Sequence, residues 1–456
     1  MKTINKRIIF LVTITVIFLC VSAVLMFSML SNADDYALKN VNAHLYKNNV
    51  LVNAGEIVDI YNNKLAYTEN GKRKYIDNTE IRTSLLHILG DNKGFITGGV
   101  QDVFRAELSG YNLLFGVNNG ADSILKLSLD SELCSSAYKA LGKYKGCIAV
   151  CNYKTGELVC IASAPSYDIY NKPEDIDSND KYEGVYINRV YGGLYTPGSI
   201  FKIVTAMSAI ENIPDIYNRK FTCEGFYQAT DGKVICNDTH GTLTFRQALN
   251  KSCNSVFAQI AIELGSEKIE QAYKKAGLSN SYKNCDRMTS TSGIFRLNSN
   301  SEYELGWCGI GQSTTLVNPY SFLTYMCAIA NGGQTVKPHF VLSVTNSNER
   351  VTYKAEPDDS GIFIEATTAS LLKELLRSNV SDYYGDKMFG KVKMCGKTGT
   401  AEKDEGLPNS LFAGFSYDES FPYAIIVVVE DSGSGIKYAG NAASKIMNEL
   451  YNKING

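Results

Sequence analysis

The chain has 456 residues, of which 45% are hydrophobic and 20% charged, and its formal net charge is -2. This length suggests two or three domains with an ample core, and the near-neutral charge gives no indication of nucleic-acid binding. The four histidines are scattered without metal-ligand spacing, so the sequence predicts no metal site.

An uncharged apolar run covers residues 8–30 and is preceded by three basic residues. At about 1.5 Å per residue it reaches across a bilayer core of about 30 Å. Basic residues ahead of a span favour a cytoplasmic N-terminus, so we expect residues 1–33 to be a cytoplasmic tip and single membrane anchor, with the rest outside. The alternative is a signal peptide cut at Ser31-Asn32-Ala33, but the apolar run is longer than the usual signal core.

Residues 34–122 are mixed and polar, with several turn signals, and we interpret them as a small α/β module. No catalytic constellation is visible there, so we expect a spacer that sets height above the membrane and docks partners. The boundary is placed at the polar stretch Asn118–Asp122.

Residues 123–456 have the pattern of one larger α/β domain. Asp130 is expected to cap a helix, and the apolar runs 147–151 and 158–162 to form a hairpin. Residues 206–390 read as mostly helical. Three further strand signals and a final amphipathic helix follow at 392–396, 411–415, 423–429 and 442–452.

Twelve cysteines are many for an exported chain, and no C-x-x-C motif occurs. Cys223 and Cys236 flank an Asp231-Gly232 turn and could pair as a disulfide. The remaining cysteines read as small buried apolar residues.

Ser199 and Lys202 follow the breaker pair Pro197-Gly198, at the start of a helix that is apolar on every face. Residues three apart share a helix face, so the Lys202 amine should lie beside the Ser199 hydroxyl. A lysine taken out of water loses basicity and can accept a proton from that hydroxyl. The pair is therefore a candidate activated nucleophile without histidine.

The Ser-x-x-Lys spacing alone is a weak signal, because it recurs five times elsewhere in the chain. These pairs are Ser123/Lys126, Ser136/Lys139, Ser178/Lys181, Ser370/Lys373 and Ser434/Lys437. Only Lys202 is embedded in an apolar helix, where a charged amine is costly.

Ser252-Cys253-Asn254 precedes another apolar stretch and is expected on a turn into a helix. The hydroxyl and the amide can then project together, to relay a proton and hold a peptide bond. The alternative is an ordinary helix cap.

Lys397-Thr398-Gly399-Thr400 continues a strand, where a glycine marks close approach of another backbone. An extended peptide lying along such an edge gains main-chain hydrogen bonds, and the Lys397 charge and two hydroxyls suit a carboxylate. The alternative is a polar edge protected by lysine.

Taken in order, Ser199–Lys202, Ser252–Asn254 and Lys397–Thr400 resemble the signature of penicillin-binding proteins and serine β-lactamases, with Cys253 in place of an aspartate. Further similarity to monofunctional class B transpeptidases covers roughly residues 123–456. It rests on Tyr195–Ser199, Lys154–Glu157, Ala164–Asp168, His240-Gly241 and Ala330–Gly333. The resemblance implies an antiparallel sheet flanked by helices, a helical subdomain, and a pedestal module over residues 34–122. Ala54 stands where the family usually has arginine.

The resemblance also implies D,D-transpeptidation of peptidoglycan stem peptides through a Ser199 acyl-enzyme. Lys202 would be the base, Ser252 and Lys397 would relay protons, and Asn254 would hold the substrate amide. Thr398, Gly399 and Thr400 would line the substrate-binding site, and the two threonines would bind the terminal carboxylate of the substrate. Backbone N–H groups of Ser199 and Thr400 would form the oxyanion hole.

The expected partners are stem peptides, β-lactams that acylate Ser199, and a glycosyltransferase of the SEDS type with other wall-synthesis membrane proteins. No metal or organic cofactor is implied. The alternatives are a membrane-anchored β-lactamase or β-lactam sensor, a D,D-carboxypeptidase, and an inactive scaffold that recruits wall-synthesis partners.

Overall fold

The computed structural model describes residues 2–32, 46–47, 50–51, 54–91, 94–96, 98–109, 111–112, 116–117, 122–284, 288–297, 301–346, 348–403 and 405–456. Its first element is the helix Lys2–Ser31, whose apolar side chains are exposed to the surroundings. Within the described residues it is the one helix long and apolar enough to cross a membrane. The span covers Asn5–Ser31, which contains the predicted run.

A five-stranded antiparallel sheet, here the central sheet, organises the larger domain. Its strands in spatial order are Leu158–Ala164, Gly146–Asn152, Tyr423–Val429, Asn409–Ser416 and Met394–Ala401. The inner strands are buried along nearly their whole length, as expected for runs of apolar residues covered on both faces. The hairpin and the three strand signals expected from the sequence all belong to this sheet. Met394–Ala401 is an edge strand, and one of its sides is therefore available to other groups.

Helices cover the central sheet. Ser131–Leu141 begins at Asp130, whose carboxylate accepts a hydrogen bond from Leu133 N at 2.9 Å, as the sequence predicts. It packs against the hairpin and against the C-terminal helix Asn441–Asn455. Pro319–Ala330, in which every residue is buried, packs on the other strands of the sheet.

A second sheet of six strands, here the front sheet, crosses the boundary expected at residue 122. Its spatial order is Val351–Lys354, Val341–Thr345, Ile124–Leu127, Glu56–Val58, Lys64–Glu69 and Lys72–Tyr75. Glu56–Val58 pairs in parallel with Ile124–Leu127, so strands from both sides of the boundary share one ladder. Within the described residues, the 34–122 segment therefore contributes half of a sheet, and is not a separate α/β unit.

The expectation of a mostly helical segment over residues 206–390 is only partly correct. Four strands of three or four residues form two hairpin-like pairs in this segment. Lys220–Cys223 pairs with Gly241–Thr244, and Phe226–Gln228 pairs with Lys233–Ile235. Strands this short show no readable alternation, so the pattern did not reveal them.

The remaining elements complete the fold. The other α-helices are Thr79–Ser84, Leu86–Leu89, Val100–Val103, Arg105–Ser109, Arg189–Gly192, Lys202–Asn212, Phe245–Asn250, Asn254–Lys275, Glu302–Gly309 and Ala366–Ser378. Short 3-10 or π segments are Asp180–Tyr182, Gly198–Phe201, Asn379–Tyr384, Asp386–Phe389 and Ile436–Gly440. Two-residue strand pairs are Tyr46–Lys47 with Val50–Leu51, Tyr111–Asn112 with Gly116–Val117, and Lys283–Asn284 with Met288–Thr289.

Candidate active site

Ser199 lies on the 3-10 turn Gly198–Phe201, which leads directly into the helix Lys202–Asn212. Gly198 has φ +54°, a conformation that favours glycine, and its N–H donates to Gly311 O at 2.9 Å. A Cβ at Gly198 would lie 2.7 Å from Thr400 O. The glycine therefore allows the serine turn to press against the edge strand of the central sheet.

Lys202 is fully buried and its Nζ is surrounded by oxygen atoms. It lies 3.1 Å from Ser199 Oγ, 3.0 Å from Ser252 Oγ, 2.7 Å from Ser252 O and 2.7 Å from Asn254 Oδ1. Ser252 Oγ lies 3.0 Å from Ser199 Oγ, which closes a ring of the two hydroxyls and the amine. The structure thus brings together four of the residues selected from the sequence.

Burial and a neighbouring cation determine the electrostatics of this ring. Burial away from water, with a smaller contribution from Lys397, holds the pKa of Lys202 well below its ordinary value. Burial alone lowers the pKa of Lys397 to about 7. A neutral Lys202 carries a lone pair and can accept the Ser199 proton at the distance observed.

Ser252 and Asn254 converge on Lys202 because of the loop between two helices. Ser252 has φ +51°, in the left-handed region that non-glycine residues rarely adopt. Cys253 is the N-cap of the helix Asn254–Lys275, and its N–H donates to Ala248 O at 2.9 Å. The turn into a helix expected here is present, with the first and third side chains projecting to the same side. Asn254 also donates from Nδ2 to Ile235 O at 3.2 Å.

Lys397, Thr398, Gly399 and Thr400 all lie on the edge strand Met394–Ala401. A Cβ at Gly399 would lie 2.9 Å from Pro197 O, so the close backbone approach predicted at this glycine is present. Lys397 is 1% exposed, and its Nζ donates to Thr398 O at 3.2 Å. Lys397 is therefore buried although it lies on an edge strand. The alternative, in which a solvated lysine protects an exposed edge, is not supported.

The backbone of this strand presents polar groups to the site. Thr398 N donates to Tyr384 OH at 3.0 Å, so this N–H points away from the neighbouring strand. Residues two apart in a strand point their backbone groups to the same side, and Thr400 O accordingly accepts from Gln312 Nε2 at 2.9 Å. The Thr400 N–H therefore faces the serine turn, as an oxyanion donor requires.

A cavity of about 530 Å³ joins these groups. It is lined by Ser199, Ser252, Asn254, Lys397, Thr398 and Thr400 together with Tyr384, Trp307 and Gly435. A larger groove of about 1460 Å³ shares Trp307 and Gln312 with it but does not contain Ser199. The smaller cavity holds the candidate nucleophile and base and is therefore the candidate reaction site, and the groove adjoins it at the shared residues.

The other Ser-x-x-Lys pairs differ from Ser199/Lys202 in burial. Their lysines are exposed or partly exposed, whereas Lys202 is buried. Ser136 Oγ donates to Glu449 Oε1 at 2.7 Å, and Lys139 pairs with Glu80 at the surface. The distinction drawn from the apolar context of Lys202 is therefore confirmed.

Sequence reasoning did not select Tyr384, which contacts the edge strand from the π segment Asn379–Tyr384. Its hydroxyl accepts from Thr398 N at 3.0 Å and lies 2.8 Å from Thr398 Oγ1. No motif identifies it, because its contribution is a bond to backbone from a distant segment. We interpret Tyr384 as a positioning residue for the substrate edge.

We expect Tyr384→Phe to slow acylation by a β-lactam about tenfold, because Thr398 N–H loses its acceptor at a cost of about 1–2 kcal/mol. The measurement is the second-order rate of labelling by a fluorescent penicillin. Tyr383→Phe is the matched control, since Tyr383 lines the same cavity but is 56% exposed. Equal effects of the two substitutions would contradict the assigned role.

Cys223 and Cys236 are free thiols in the structure, so the disulfide considered for them is not formed. Cys147 and Cys151 are buried and free, as expected of core residues.

The chain matches known proteins along most of its length. Residues 146–452 match the family model of the penicillin-binding protein transpeptidase domain. The stage V sporulation protein D of Bacillus subtilis is 26% identical over 375 residues, 79% of this chain and 56% of that protein. The peptidoglycan D,D-transpeptidase PbpA of Mycolicibacterium smegmatis is 23% identical over 331 residues, 66% of this chain and 65% of that protein.

The fold matches as well. The crystal structure of a D,D-transpeptidase domain from Eggerthella lenta superposes with a TM-score of 0.76 at 24% identity, covering 88% of this chain and 99% of that one. The chain spans 56% and 65% of the two relatives' lengths. The family model covers well over half of the chain, and the resemblance noted in the sequence is confirmed: the chain belongs to the penicillin-binding protein transpeptidase family.

Proposed function

We propose that the protein is a serine-type peptidoglycan D,D-transpeptidase that cross-links stem peptides. The observation that carries the proposal is the position of the buried Lys202 amine, bonded at once to Ser199, Ser252 and Asn254. The relative from Mycolicibacterium smegmatis has this activity in its name. The reaction needs a nucleophile, a base and an oxyanion site, and this cavity supplies candidates for all three.

In the first half-reaction, Ser199 Oγ attacks the carbonyl of the penultimate D-Ala while its proton passes to Lys202. The tetrahedral oxyanion is held by the N–H groups of Ser199 and Thr400. Ser252, with Lys397 in the same cavity, gives its proton to the departing D-Ala nitrogen and takes one from Lys202, and the C–N bond breaks to leave the acyl-enzyme. In the second half-reaction, an amine of another stem peptide attacks the ester carbonyl and loses a proton to Lys202, and the C–O bond to Ser199 breaks as Ser199 Oγ takes a proton back from Lys202.

The substrate is held along the edge strand. Thr400 Oγ1 accepts a hydrogen bond from Gly435 N at 3.2 Å, so its hydroxyl hydrogen is directed elsewhere and can donate to a carboxylate. Thr398, Gly399 and Thr400 offer the strand edge and two hydroxyls to the peptide end. Asn254 uses its carbonyl to hold Lys202 and one amide hydrogen on Ile235, which leaves its second amide hydrogen for the substrate amide.

The deciding experiment combines a β-lactam and a peptide substrate with the full-length chain in detergent. Benzylpenicillin should add its mass to the peptide containing Ser199 and stay bound for hours. A stem pentapeptide with an amine acceptor should yield free D-Ala and a cross-linked dimer. Rapid loss of the adduct would instead indicate a β-lactamase. Release of D-Ala without a cross-linked dimer would indicate a carboxypeptidase, and the absence of both product and adduct would indicate an inactive scaffold.

The pKa of Lys397 near 7 sets an expected pH dependence. Because burial lowers this pKa, the amine is charged below pH 7 and neutral above it. A penicillin carboxylate placed beside it then loses its cation as the pH rises, so the acylation rate of the free enzyme should fall above pH 7. Arginine stays charged, so Lys397→Arg should lack this alkaline fall. An alkaline fall in Lys397→Arg equal to that of the wild type would contradict the assignment.

We also propose the orientation and the partner. The basic residues ahead of the span favour a cytoplasmic N-terminus, which places the transpeptidase domain outside, where stem peptides are. The resemblance to class B proteins favours a SEDS-type glycosyltransferase as the membrane partner. Protease accessibility of the domain in intact protoplasts tests the first point, and co-purification of the tagged full-length chain with the glycosyltransferase tests the second.

A further inference from the structure

Beside the catalytic cavity, three cysteines and one histidine form a compact cluster. The ligand atoms of Cys223, Cys236, His240 and Cys253 all lie within 4.8 Å of one another. Cys236 Sγ is 3.8 Å from Cys253 Sγ, and His240 Nδ1 is 3.7 Å from Cys223 Sγ and 3.5 Å from Cys236 Sγ. The three cysteines are buried and free. Four donor atoms that the catalytic scheme does not use are therefore directed at one point.

These separations are those of ligands around a tetrahedral metal. With Zn–S about 2.3 Å and Zn–N about 2.0–2.1 Å, the edges of a tetrahedron are about 3.8 Å between sulfurs and about 3.6 Å between sulfur and nitrogen. The measured values of 3.8, 3.7 and 3.5 Å agree with this. A disulfide needs about 2.05 Å between its sulfurs, far less than the 3.8 Å seen here.

We propose that Cys223, Cys236, His240 and Cys253 bind one zinc ion as a closed structural site. Three thiolates and one imidazole make a donor set that tetrahedral zinc takes in structural sites. On binding, each thiol gives up its proton to solvent and the imidazole ligates through its unprotonated Nδ1. The centre then carries a net charge of -1. The four ligands leave no position for a water, so the metal takes no part in the reaction itself.

The site joins three short strands and the start of one helix. Cys223 ends the strand Lys220–Cys223, Cys236 follows the strand Lys233–Ile235, and His240 precedes the strand Gly241–Thr244. Cys253 caps the helix Asn254–Lys275. Hairpins of three or four residues have little stability alone, and a metal link between them supplies it.

The proposed metal site also adjoins the ring formed by Ser199, Ser252 and Lys202, here the catalytic ring. Cys253 stands between Ser252 and Asn254, two of the three residues whose side chains bond Lys202 Nζ. Asn254 Nδ2 also bonds Ile235 O, next to Cys236. Ser252 is held at φ +51°, and fixing its neighbour restrains that unfavourable conformation. The metal ligands are thus positioning residues for Ser252 and Asn254; this consequence rests on the proposed function, whereas the metal site does not.

Metal content tests the site directly. The full-length chain, purified under reducing conditions and supplied with zinc, should hold about one zinc per chain by elemental and native mass spectrometry. Cys223→Ser and Cys253→Ser should each reduce this by tenfold or more, whereas Cys147→Ser, a buried cysteine elsewhere in the central sheet, should leave it unchanged. Loss of zinc in the control to the same degree, or no zinc in the wild type, would overturn the proposal.

Spectroscopy on the wild-type chain tests the metal site without relying on variants that could fail to fold. Co(II) in place of zinc should give thiolate-to-cobalt charge-transfer absorption and the intense visible bands of a tetrahedral centre. If the mass of the freshly purified chain is lower by two hydrogens and Cys236 is linked to Cys223 or Cys253, the chain contains a disulfide there, and the proposed metal site is overturned.

Zinc removal should slow penicillin acylation at least tenfold, and added zinc should restore it. Unchanged acylation after complete removal would overturn the positioning role alone, while zinc bound without any penicillin adduct would count against the proposed function only.

Discussion

Replacing Ser199 by alanine should abolish covalent labelling of the chain by a fluorescent penicillin. The Ser199 hydroxyl lies 3.1 Å from Lys202 Nζ and 3.0 Å from Ser252 Oγ, and no acyl bond can form without its oxygen. We expect acylation to fall by 10³-fold or more, as loss of a nucleophile that acts as a unit with its base does in other enzymes. In-gel fluorescence of the membrane fraction measures it.

Ser136→Ala is the matched control, because Ser136 has the same spacing to a lysine but donates its hydroxyl to Glu449 and does not line the catalytic cavity. Labelling should be unchanged in this variant. The folded state of Ser199→Ala is checked by its thermal unfolding temperature, which should stay close to wild type because Ser199 is only partly buried. Persistent labelling of Ser199→Ala would mean that another residue carries the acyl group.

The sequence allowed prediction of those parts of the site that depend on local spacing. Ser199 and Lys202 are one helical turn apart, so their proximity follows from helix geometry once the helix is recognised. Gly399 in a strand predicted close approach of another backbone, and the structure supplies Pro197. Tyr423–Val429 was expected with the bounds observed, because a run of apolar and β-branched residues favours a buried strand.

Other parts depend on contacts that no local pattern encodes. The front sheet takes Val341–Thr345 and Val351–Lys354 from a segment more than two hundred residues after its first strand, so the boundary at residue 122 divided a single ladder. Tyr384 acts through the backbone of Thr398, and any aromatic residue in its segment would look the same in sequence. Long-range pairing of this kind is set by tertiary packing and is invisible to periodicity.

The cysteine cluster shows the same limit most clearly. Its ligands are separated by twelve, three and twelve residues, so Cys236 and His240 form a single short pair and not the two short pairs by which zinc sites are recognised. The turn at Asp231-Gly232 correctly suggested that Cys223 and Cys236 lie close together. His240 and Cys253 join them only because a second hairpin and a helix cap converge on the same point.

Lys202→Ala should impair acylation almost as strongly as loss of the serine, on the order of 10³-fold or more. Its Nζ is the atom at which the hydroxyls of Ser199 and Ser252 and the Asn254 amide meet, so the variant loses the amine that contacts the Ser199 hydroxyl directly. Lys139→Ala, which removes a surface ion pair with Glu80, is the control and should retain the wild-type rate. The measurement is again the second-order rate of labelling by a fluorescent penicillin.

Two comparisons separate a proton acceptor from a merely structural cation. Arginine keeps its charge at all accessible pH values, so Lys202→Arg should be as inactive as Lys202→Ala if a neutral amine is required. A small primary amine added to Lys202→Ala can enter the space vacated by the side chain, and should restore part of the rate in proportion to its unprotonated fraction. Activity in Lys202→Arg would instead show that positive charge at this position suffices, and the desolvated amine would no longer explain how Ser199 is activated.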